Sequence, residues 1–182
     1  YGFIPLRLKL ELEKSKEYYE KTGKSLIESI RNEELRDGSR IVMENDDFVV
    51  FLPFYTDYPY GCYIVSKRDG INTFEDFDDT LALNFAKILK SLLGTFDELF
   101  DRPFPYMMGI YQAPVNLEDE EEINKYYHFN VKFFPPLRAA QTIKWNASSE
   151  TAMWARTNPK VVEQTTIELR EAYERYKEKY DK

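Results

Sequence analysis

Hydrophobic and polar residues change their spacing several times along the chain, and each spacing predicts a kind of element. Residues 8–22 and 24–37 mix Glu, Lys and Leu in a way typical of two helices, with Gly23 between them and Gly38 as a natural helix end. The segments RIVMEN, DFVVFLPF and YGCYIVSK then predict an antiparallel meander, because short β-branched and aromatic stretches favour strands. Residues 74–100 return to helical spacing, with Gly94 as a candidate point of division.

The second half of the chain also alternates between strand-like and helical patterns. The segments FPYMMGIYQ (104–112) and KYYHFNVKFF (125–134) are strand candidates, and the acidic link from Glu118 to Glu122 is predicted to be a solvated loop. A short strand is expected near 141–145, and residues 159–180 predict a charged terminal helix. This order indicates an α+β fold in which helices flank an antiparallel sheet.

Composition narrows the function classes that the chain can serve. A net charge of −7 argues against broad binding to nucleic acids or anionic membranes, which requires basic patches. The one cysteine, Cys62, excludes an internal disulfide and a multi-cysteine metal site, and so favours the cytoplasm. No apolar run approaches the length that spans a bilayer, and nothing resembles a signal peptide. The chain begins at Tyr1, which suggests that an upstream portion is missing.

A row of polar side chains is the most unusual feature of the predicted strand 125–134. Alternate residues of a strand share a face, so His128, Asn130 and Lys132 project together, away from their apolar neighbours. One interpretation is a solvent-facing polar edge of a half-buried strand. The other is a polar row that faces a ligand site or a domain interface. His128 is the one histidine of the chain.

Several longer segments carry a family resemblance. The pattern H-x-N-x-K has the layout of the histidine-triad motif with two of its three histidines replaced. The segments DGSRIVMENDDFVVFLPFYTDYPYG, FPYMMGIYQAP and HFNVKFFPPLR follow one another in the order and spacing of the second half of galactose-1-phosphate uridylyltransferases, which the chain resembles over nearly its whole length.

The resemblance implies a histidine-triad-like fold and different roles for the N-terminal and C-terminal domains. It implies that residues 1–38 are a helical segment continuing from a missing N-terminal domain, and that 39–182 form the C-terminal domain. In that family, a His-Pro-His-Gly-Gln motif in the first domain supplies the histidine that carries UMP from UDP-glucose to galactose 1-phosphate. No catalytic residue is therefore expected here, since an imidazole nucleophile is required and His128 lacks that motif's context.

The resemblance also suggests binding residues. A Lys and a Glu after the Pro-Pro-Leu-Arg segment help to bind the hexose phosphate, and Lys144 and Glu150 match them, with Trp145 as an apolar contact. They could equally be ordinary surface charges. Some members bind a structural metal through histidines at positions held here by Tyr111, Asn130 and Lys132, so no metal or other cofactor is expected.

The resemblance leaves more than one function open. The first interpretation is the C-terminal domain of a hexose-1-phosphate uridylyltransferase, with a sugar nucleotide, a hexose 1-phosphate, its own N-terminal domain and a second copy in a homodimer as partners. Alternatives are a non-catalytic histidine-triad-like binding domain, or another nucleotidyltransferase or phosphorylase acting on sugar nucleotides. Neither nucleic acid nor membrane is expected as a partner.

Overall fold

The computed structural model describes residues 2–144, 146 and 148–180. In chain order its elements are α1 (Leu6–Thr22), α2 (Leu26–Asp37), β1 (Ile41–Glu44), β2 (Phe48–Phe51), β3 (Tyr63–Ser66), a 3-10 turn (Phe74–Asp76), α3 (Asp79–Leu99), β4 (Met108–Tyr111), α4 (Glu120–Tyr126), β5 (Asn130–Phe133), β6 (Leu137–Ala139), β7 (Thr142–Ile143), α5 (Ser148–Ala152) and α6 (Val162–Tyr180). The α+β class and the helices flanking a sheet are confirmed.

The first two helices end where glycines predict. Gly23 and Gly38 adopt left-handed backbone conformations with φ of 68° and 72°, which a residue without a Cβ adopts at little cost. Their N–H groups donate to carbonyls of the last helical turn, that of Gly23 to Tyr19 and that of Gly38 to Glu34. Ser25 caps the start of α2 by accepting from the backbone of Glu28.

Five strands form one antiparallel sheet in the order β1-β2-β3-β5-β4, and β6 and β7 form a separate hairpin. The predicted meander is therefore β1 to β3, and β5 is inserted between β3 and β4. In the register of the sheet, Tyr111 on β4 lies opposite Asn130, and Tyr63 on β3 lies opposite Lys132. The polar row consequently runs through the interior of the sheet rather than along its edge.

Both faces of the sheet are covered, which explains why its strands are apolar without strict alternation. One face packs with α3 and α6 and includes Phe48, Val50, Ile64, Phe129, Val131 and Phe133. On the opposite face, Val49, Phe51, Tyr63 and Val65 pack with Ile27 of α2. Near α1, Leu12 packs with Ala113, Ile123, Tyr126 and Tyr127. The leading helices therefore contact the same sheet as the rest of the chain.

The acidic link was wrongly predicted as a loop, because Glu120–Tyr126 is helix α4. Three glutamates occupy its first turn, where negative charge is stabilised by the helix dipole, and Ile123 and Tyr126 bury their side chains towards α1. The strand predicted over 125–134 is correspondingly shorter, since β5 begins at Asn130.

Gly94 does not divide the third helix, because α3 continues from Asp79 to Leu99. A Cβ at Gly94 would lie 2.1 Å from Cε2 of Tyr176 on α6. The glycine therefore serves close packing between α3 and α6 rather than a break in the helix.

Candidate functional site

The polar row on and before β5 lies inside the domain. His128 and Asn130 are fully buried and Lys132 is 3% exposed, and their partners come from α1, α2 and β3. The face of the sheet that carries the row is covered by the leading helices. The row does not face solvent in this chain, and its members are held by contacts within the domain.

Both ring nitrogens of His128 face oxygen atoms. Nε2 lies 3.3 Å from the carbonyl oxygen of Ser66, and Nδ1 lies 3.1 Å from Oε1 of Glu28. Because a carbonyl oxygen only accepts, Nε2 carries a hydrogen. The His128 ring beside Glu28 holds the pKa of that carboxyl below its usual value, as does the N–H of Gly70 that donates to it. Both nitrogens lie inside the domain, so neither is accessible to a substrate.

Lys132 forms a buried ion pair with Glu11 on α1. Its ammonium also lies 4.2 Å from the ring centre of Tyr111 and 5.0 Å from that of Tyr63, and the hydroxyl of Tyr127 donates to Glu11 at 2.8 Å. Burial lowers the pKa of Lys132, while Glu11 opposes that shift. The positive charge of this region is thus supplied by the protein itself.

The residues at this place do not fit a metal ion. Within the described part of the chain, no group of three or more His, Cys, Asp or Glu side chains is arranged to hold one. Lys132 directs an ammonium group at Glu11, one of the two carboxylates that contact the row, and a cation there repels a second cation. The prediction that no metal binds stays a prediction, and the local chemistry agrees with it.

Two of the three predicted substrate-binding residues contact each other. Nζ of Lys144 donates to Oε1 of Glu150 at 2.7 Å, and the two side chains are 5% and 9% exposed. The same Oε1 accepts from the backbone of Thr157, and the lysine lies 5.3 Å from the ring centre of Tyr58. Trp145 lies outside the described residues.

A groove of about 270 Å³ opens beside this pair, and it was not predicted from the sequence. We call it the Arg7 groove. It is lined by Arg7, Tyr55, Thr56, Asp57, Tyr63, Phe133, Phe134, Trp154 and Arg156. It adjoins the Lys144–Glu150 pair, because the ring of Tyr58 contacts both Lys144 and Phe134. The first turn of α1, the loop after β2, strand β3, the end of β5 and the segment after α5 meet here.

The remaining reactive side chains are sealed from solvent. Cys62 is fully buried, and burial raises the pKa of its thiol, which disfavours the nucleophilic thiolate. Because the ring of His128 is buried as well, the described residues present no exposed imidazole or thiol. The described residues therefore offer neither an accessible imidazole nor an accessible thiol to attack phosphorus.

Comparison with known proteins agrees with these features. The family model described as galactose-1-phosphate uridyl transferase, C-terminal domain, matches residues 11–179. The galactose-1-phosphate uridylyltransferase of Thermotoga maritima is 37% identical over 171 residues, which cover 94% of this chain and 52% of the relative. That of Saccharomyces cerevisiae is 33% identical over 141 residues, 78% of this chain and 38% of the relative. The chain thus spans about half the length of the Thermotoga relative, and less of the yeast one.

Solved structures extend the similarity to the fold. A uridylyltransferase structure covers 95% of this chain, while the match spans 52% of that protein, with a TM-score of 0.84 and 26% identity. A histidine-triad nucleotide-binding protein from Sulfolobus tokodaii matches 81% of this chain and 93% of its own length, with a TM-score of 0.53 and 14% identity, a likeness of fold alone. Among the described helices, none combines the length and apolar character needed to cross a bilayer.

Proposed function

Because the chain belongs to the galactose-1-phosphate uridylyltransferase family, as its C-terminal domain, we propose that it works as the substrate-positioning half of a hexose-1-phosphate uridylyltransferase. The reaction is the transfer of UMP between UDP-glucose and galactose 1-phosphate. The uridylyl-carrying histidine comes from an N-terminal domain that these residues do not include.

The state of His128 is the observation that carries this proposal. It is the one histidine of the sequence, it is fully buried, and its ring nitrogens face Ser66 and Glu28. A nucleophilic imidazole needs a free lone pair within reach of the phosphorus atom. The chain therefore requires an imidazole from elsewhere for phosphoryl chemistry of this kind.

The contribution of this domain to binding rests on Lys144 and Glu150. A lysine ammonium binds a phosphate oxygen as a point charge, and a carboxylate accepts hydrogen bonds from sugar hydroxyls. The two groups hold one another at 2.7 Å, so both charges are already fixed in position. Substrate would exchange this contact for contacts with its own phosphate and hydroxyls.

The β4 edge of the sheet is the surface that we expect an N-terminal domain to cover. In the described chain β4 pairs only with β5, and Met108 and Ile110 on it are 41% and 45% exposed. A second groove, of about 680 Å³, lies beside it between the start of α1 and residues 112–117. Unpaired edges and apolar surface favour association, so we expect the N-terminal domain here and a homodimer of the complete enzyme.

Two further expectations belong to this proposal. A single buried cysteine agrees with a cytoplasmic protein, in which thiols stay reduced. The Lys132–Glu11 pair agrees with a domain that functions without a metal cofactor.

Complementation tests the proposal. The chain is assayed for UMP transfer from UDP-glucose to galactose 1-phosphate, first alone and then mixed with the separately expressed N-terminal half of the Thermotoga maritima relative. We expect no turnover from the chain alone and measurable turnover from the mixture. The variant Lys144→Gln should lower the turnover of the mixture at least tenfold, because the phosphate loses a charged contact.

His128→Ala provides the decisive control. Turnover by the chain alone that this substitution abolishes would show that His128 is the nucleophile, and the proposal would be wrong. In the complemented mixture, a folded His128→Ala variant should retain transfer, because the reacting imidazole resides in the other half.

The alternative is a binding domain of the same fold without a catalytic partner. The mutual pairing of Lys144 and Glu150 favours it, because these charges are already satisfied without a ligand. Absence of turnover in the mixture, with a stable complex of the two halves shown by size-exclusion chromatography, would support this alternative.

A further inference from the structure

Three side-chain contacts fasten the segment after α5 to the loop between β2 and β3. They involve alternate residues of the segment, and each is within hydrogen-bond distance. The contacts are Nη1 of Arg156 with Oδ2 of Asp57 at 3.0 Å, Nδ2 of Asn158 with the carbonyl oxygen of Thr56 at 3.1 Å, and Nζ of Lys160 with the hydroxyl of Tyr60 at 2.8 Å. We call these three contacts the clasp. Because they follow one another along the segment, they fix its path as well as its position.

The loop side of the clasp is anchored in the core. Tyr60 is fully buried, and its hydroxyl donates to Glu168 on α6 at 2.6 Å. Lys160 contacts the same carboxylate at 2.9 Å, so this end of the clasp is joined to the helix as well. A Cβ at Gly61 would lie 2.3 Å from Oγ1 of Thr56, which shows how closely the loop folds on itself. The loop is therefore a packed support, and the segment after α5 takes its position from it.

One residue on each side of the clasp continues to the Lys144–Glu150 pair. Thr157, which follows the arginine of the clasp, donates its N–H to Oε1 of Glu150 at 3.3 Å, and the same oxygen accepts from Lys144. Tyr58, which follows the aspartate of the clasp, places its ring centre 5.3 Å from the ammonium of Lys144. Two groups that hold the pair are thus the immediate neighbours of the two residues that form the ion pair of the clasp.

The ion pair of the clasp is open to water. The side chain of Arg156 is 40% exposed and that of Asp57 is 20% exposed, because both residues line the Arg7 groove. An ion pair in such a position contributes little to the stability of a whole domain. It can still bias a short segment between two arrangements, since a small difference in free energy changes their populations several-fold.

The chain changes direction between α5 and the clasp. Trp154 has a φ of +56°, in the left-handed region that bulky side chains rarely adopt, and the residue is 70% exposed, so burial in a core does not account for this conformation. Such backbone is strained and persists where surrounding contacts hold it. On one side of the turn, the N–H of Ala155 donates to the carbonyl of Ser149 at 3.2 Å, and on the other side the clasp holds the chain. Opening the clasp would let this turn relax.

We propose that Asp57 and Arg156 are positioning residues for the Lys144–Glu150 pair. Their contact closes the clasp, and the closed clasp keeps the neighbouring groups in the places from which they hold the lysine and the glutamate. Neither residue is assigned a contact with substrate, so both act through the pair. The use of the pair in substrate binding rests on the proposed function, whereas the clasp rests on the contacts between the two segments.

Hydrogen–deuterium exchange of the full chain, without any substrate, tests whether the clasp holds the segment. In Arg156→Gln, the amides of residues 150–158 should exchange about fivefold faster than in wild type, as expected for the loss of one partly exposed ion pair. Asp57→Asn should have the same effect, because either change removes the ion pair. The double variant Asp57→Arg with Arg156→Asp restores opposite charges and should recover part of the protection.

Kinetics of the complemented halves provide a readout that a general loss of packing would not produce. In both single variants we expect the KM for galactose 1-phosphate to rise about fivefold and kcat to stay within about twofold of wild type, because the binding charges are displaced while the reacting histidine belongs to the other half. Asp57→Asn also separates positioning from direct contact. If the guanidinium of Arg156 bound the phosphate itself, removal of its carboxylate partner would strengthen binding instead.

Arg36→Gln is the matched control. It makes the same substitution in another exposed ion pair, that of Arg36 with Glu33 within α2. It should leave both the exchange of residues 150–158 and the KM unchanged, which separates a local contact from a general effect of charge. Because both arginines are exposed, all variants should fold, and circular dichroism melting checks that they do.

Three results would overturn the proposal. They are unchanged exchange in Arg156→Gln or Asp57→Asn, faster exchange with an unchanged KM, and a lower KM in Asp57→Asn. The second result would show that the clasp exists but does not position the pair. Absence of turnover in the mixture of wild-type halves would instead contradict the proposed function, and exchange in the chain alone would still decide whether the clasp holds the segment. Failure of this proposal is therefore distinguishable from failure of the proposed function.

Discussion

Two nearly buried lysine–glutamate pairs lie in this domain, and they differ in how the chain connects their members. Lys132 and Glu11 are 121 residues apart and join the middle of the sheet to helix α1. Lys144 and Glu150 are six residues apart and join the residue after strand β7 to the five-residue helix α5. The side chains of both pairs are 14% exposed or less.

The sequence separation between the two members of a pair determines how easily the pair can open. Separating Lys132 from Glu11 requires α1 to leave the sheet or a charge to stay buried without a partner, so that pair acts as a structural tie. Separating Lys144 from Glu150 requires only that a short segment moves and lets water reach both groups. The same chemistry therefore serves stability in the first pair and is available for ligand exchange in the second.

Breaking the long-range pair should produce the largest effect on stability. In Lys132→Met, the carboxylate of Glu11 remains buried with the Tyr127 hydroxyl as its neutral donor. Removing one member of a buried ion pair typically costs about 3–5 kcal/mol. We expect the free energy of unfolding to fall by that amount in urea denaturation at neutral pH.

The double variant Lys132→Met with Glu11→Leu is the control for this result. Replacing both charges with apolar residues removes the unpaired carboxylate, so the double variant should be more stable than Lys132→Met alone. A single variant that is as stable as wild type would contradict the structural role of the pair.

Breaking the local pair should affect stability less. In Lys144→Met, the segment around α5 can rearrange and expose Glu150 to water, so we expect a loss of about 1 kcal/mol in the same experiment. A loss as large as that of Lys132→Met would show that Lys144 and Glu150 are as rigidly fixed as the sheet. The pair would then be a second structural tie, and its proposed opening towards substrate would be contradicted.

The local features of this fold can be predicted from the sequence, whereas the contacts between distant residues cannot. The helix ends at Gly23 and Gly38 and the meander follow from neighbouring residues. The burial of the polar row does not, because its covering carboxylates, Glu11 and Glu28, lie about a hundred residues earlier in the chain.

The error at Gly94 and the missed groove have the same origin, whereas the error at α4 does not. The sequence at the start of α4 does indicate a helix, because clustered glutamates are followed by the apolar residues Ile123 and Tyr126. The prediction of a loop considered only the charge of this segment. Gly94 meets a ring from α6, and Arg7 meets Phe134, so in both cases the decisive neighbour is far away in sequence. The Arg7 groove exists only once five separate segments have assembled.

A third prediction concerns acid stability on the other side of the polar row. Because the pKa of Glu28 is lowered in the folded state, its carboxylate contributes stability above the unfolded value of about 4.5, and this is lost as the pH falls through the folded pKa. The titratable groups near it are His128, Arg31 and, through Arg31, Asp69. We expect Glu28→Gln to be about 1–2 kcal/mol less stable than wild type at pH 7.

The pH profile distinguishes this effect from a simple loss of packing. The difference between Glu28→Gln and wild type should shrink as the pH is lowered from 5 to 3, because the wild-type carboxyl then becomes neutral as well. A difference that stays constant over this interval would contradict the ionised state of Glu28.

The smallest expected effect is that of a metal chelator on the wild-type chain. The ammonium of Lys132 already supplies the positive charge next to Glu11, so we expect an unchanged melting temperature with and without chelator, and no stoichiometric metal by elemental analysis. Metal present at one ion per chain, with a lower melting temperature after its removal, would contradict this prediction.

A variant of the polar row tests the same prediction by introducing metal-binding side chains. Tyr111 lies opposite Asn130, and Lys132 follows on the same face, so the triple variant Tyr111→His, Asn130→His and Lys132→His directs three imidazoles towards Glu11. At a zinc concentration of about 100 times the Kd, binding would stabilise it by about 2.7 kcal/mol. Such stabilisation in the variant alone would show that the side chains of the row, rather than the shape of the sheet, keep metal ions away from the wild-type domain.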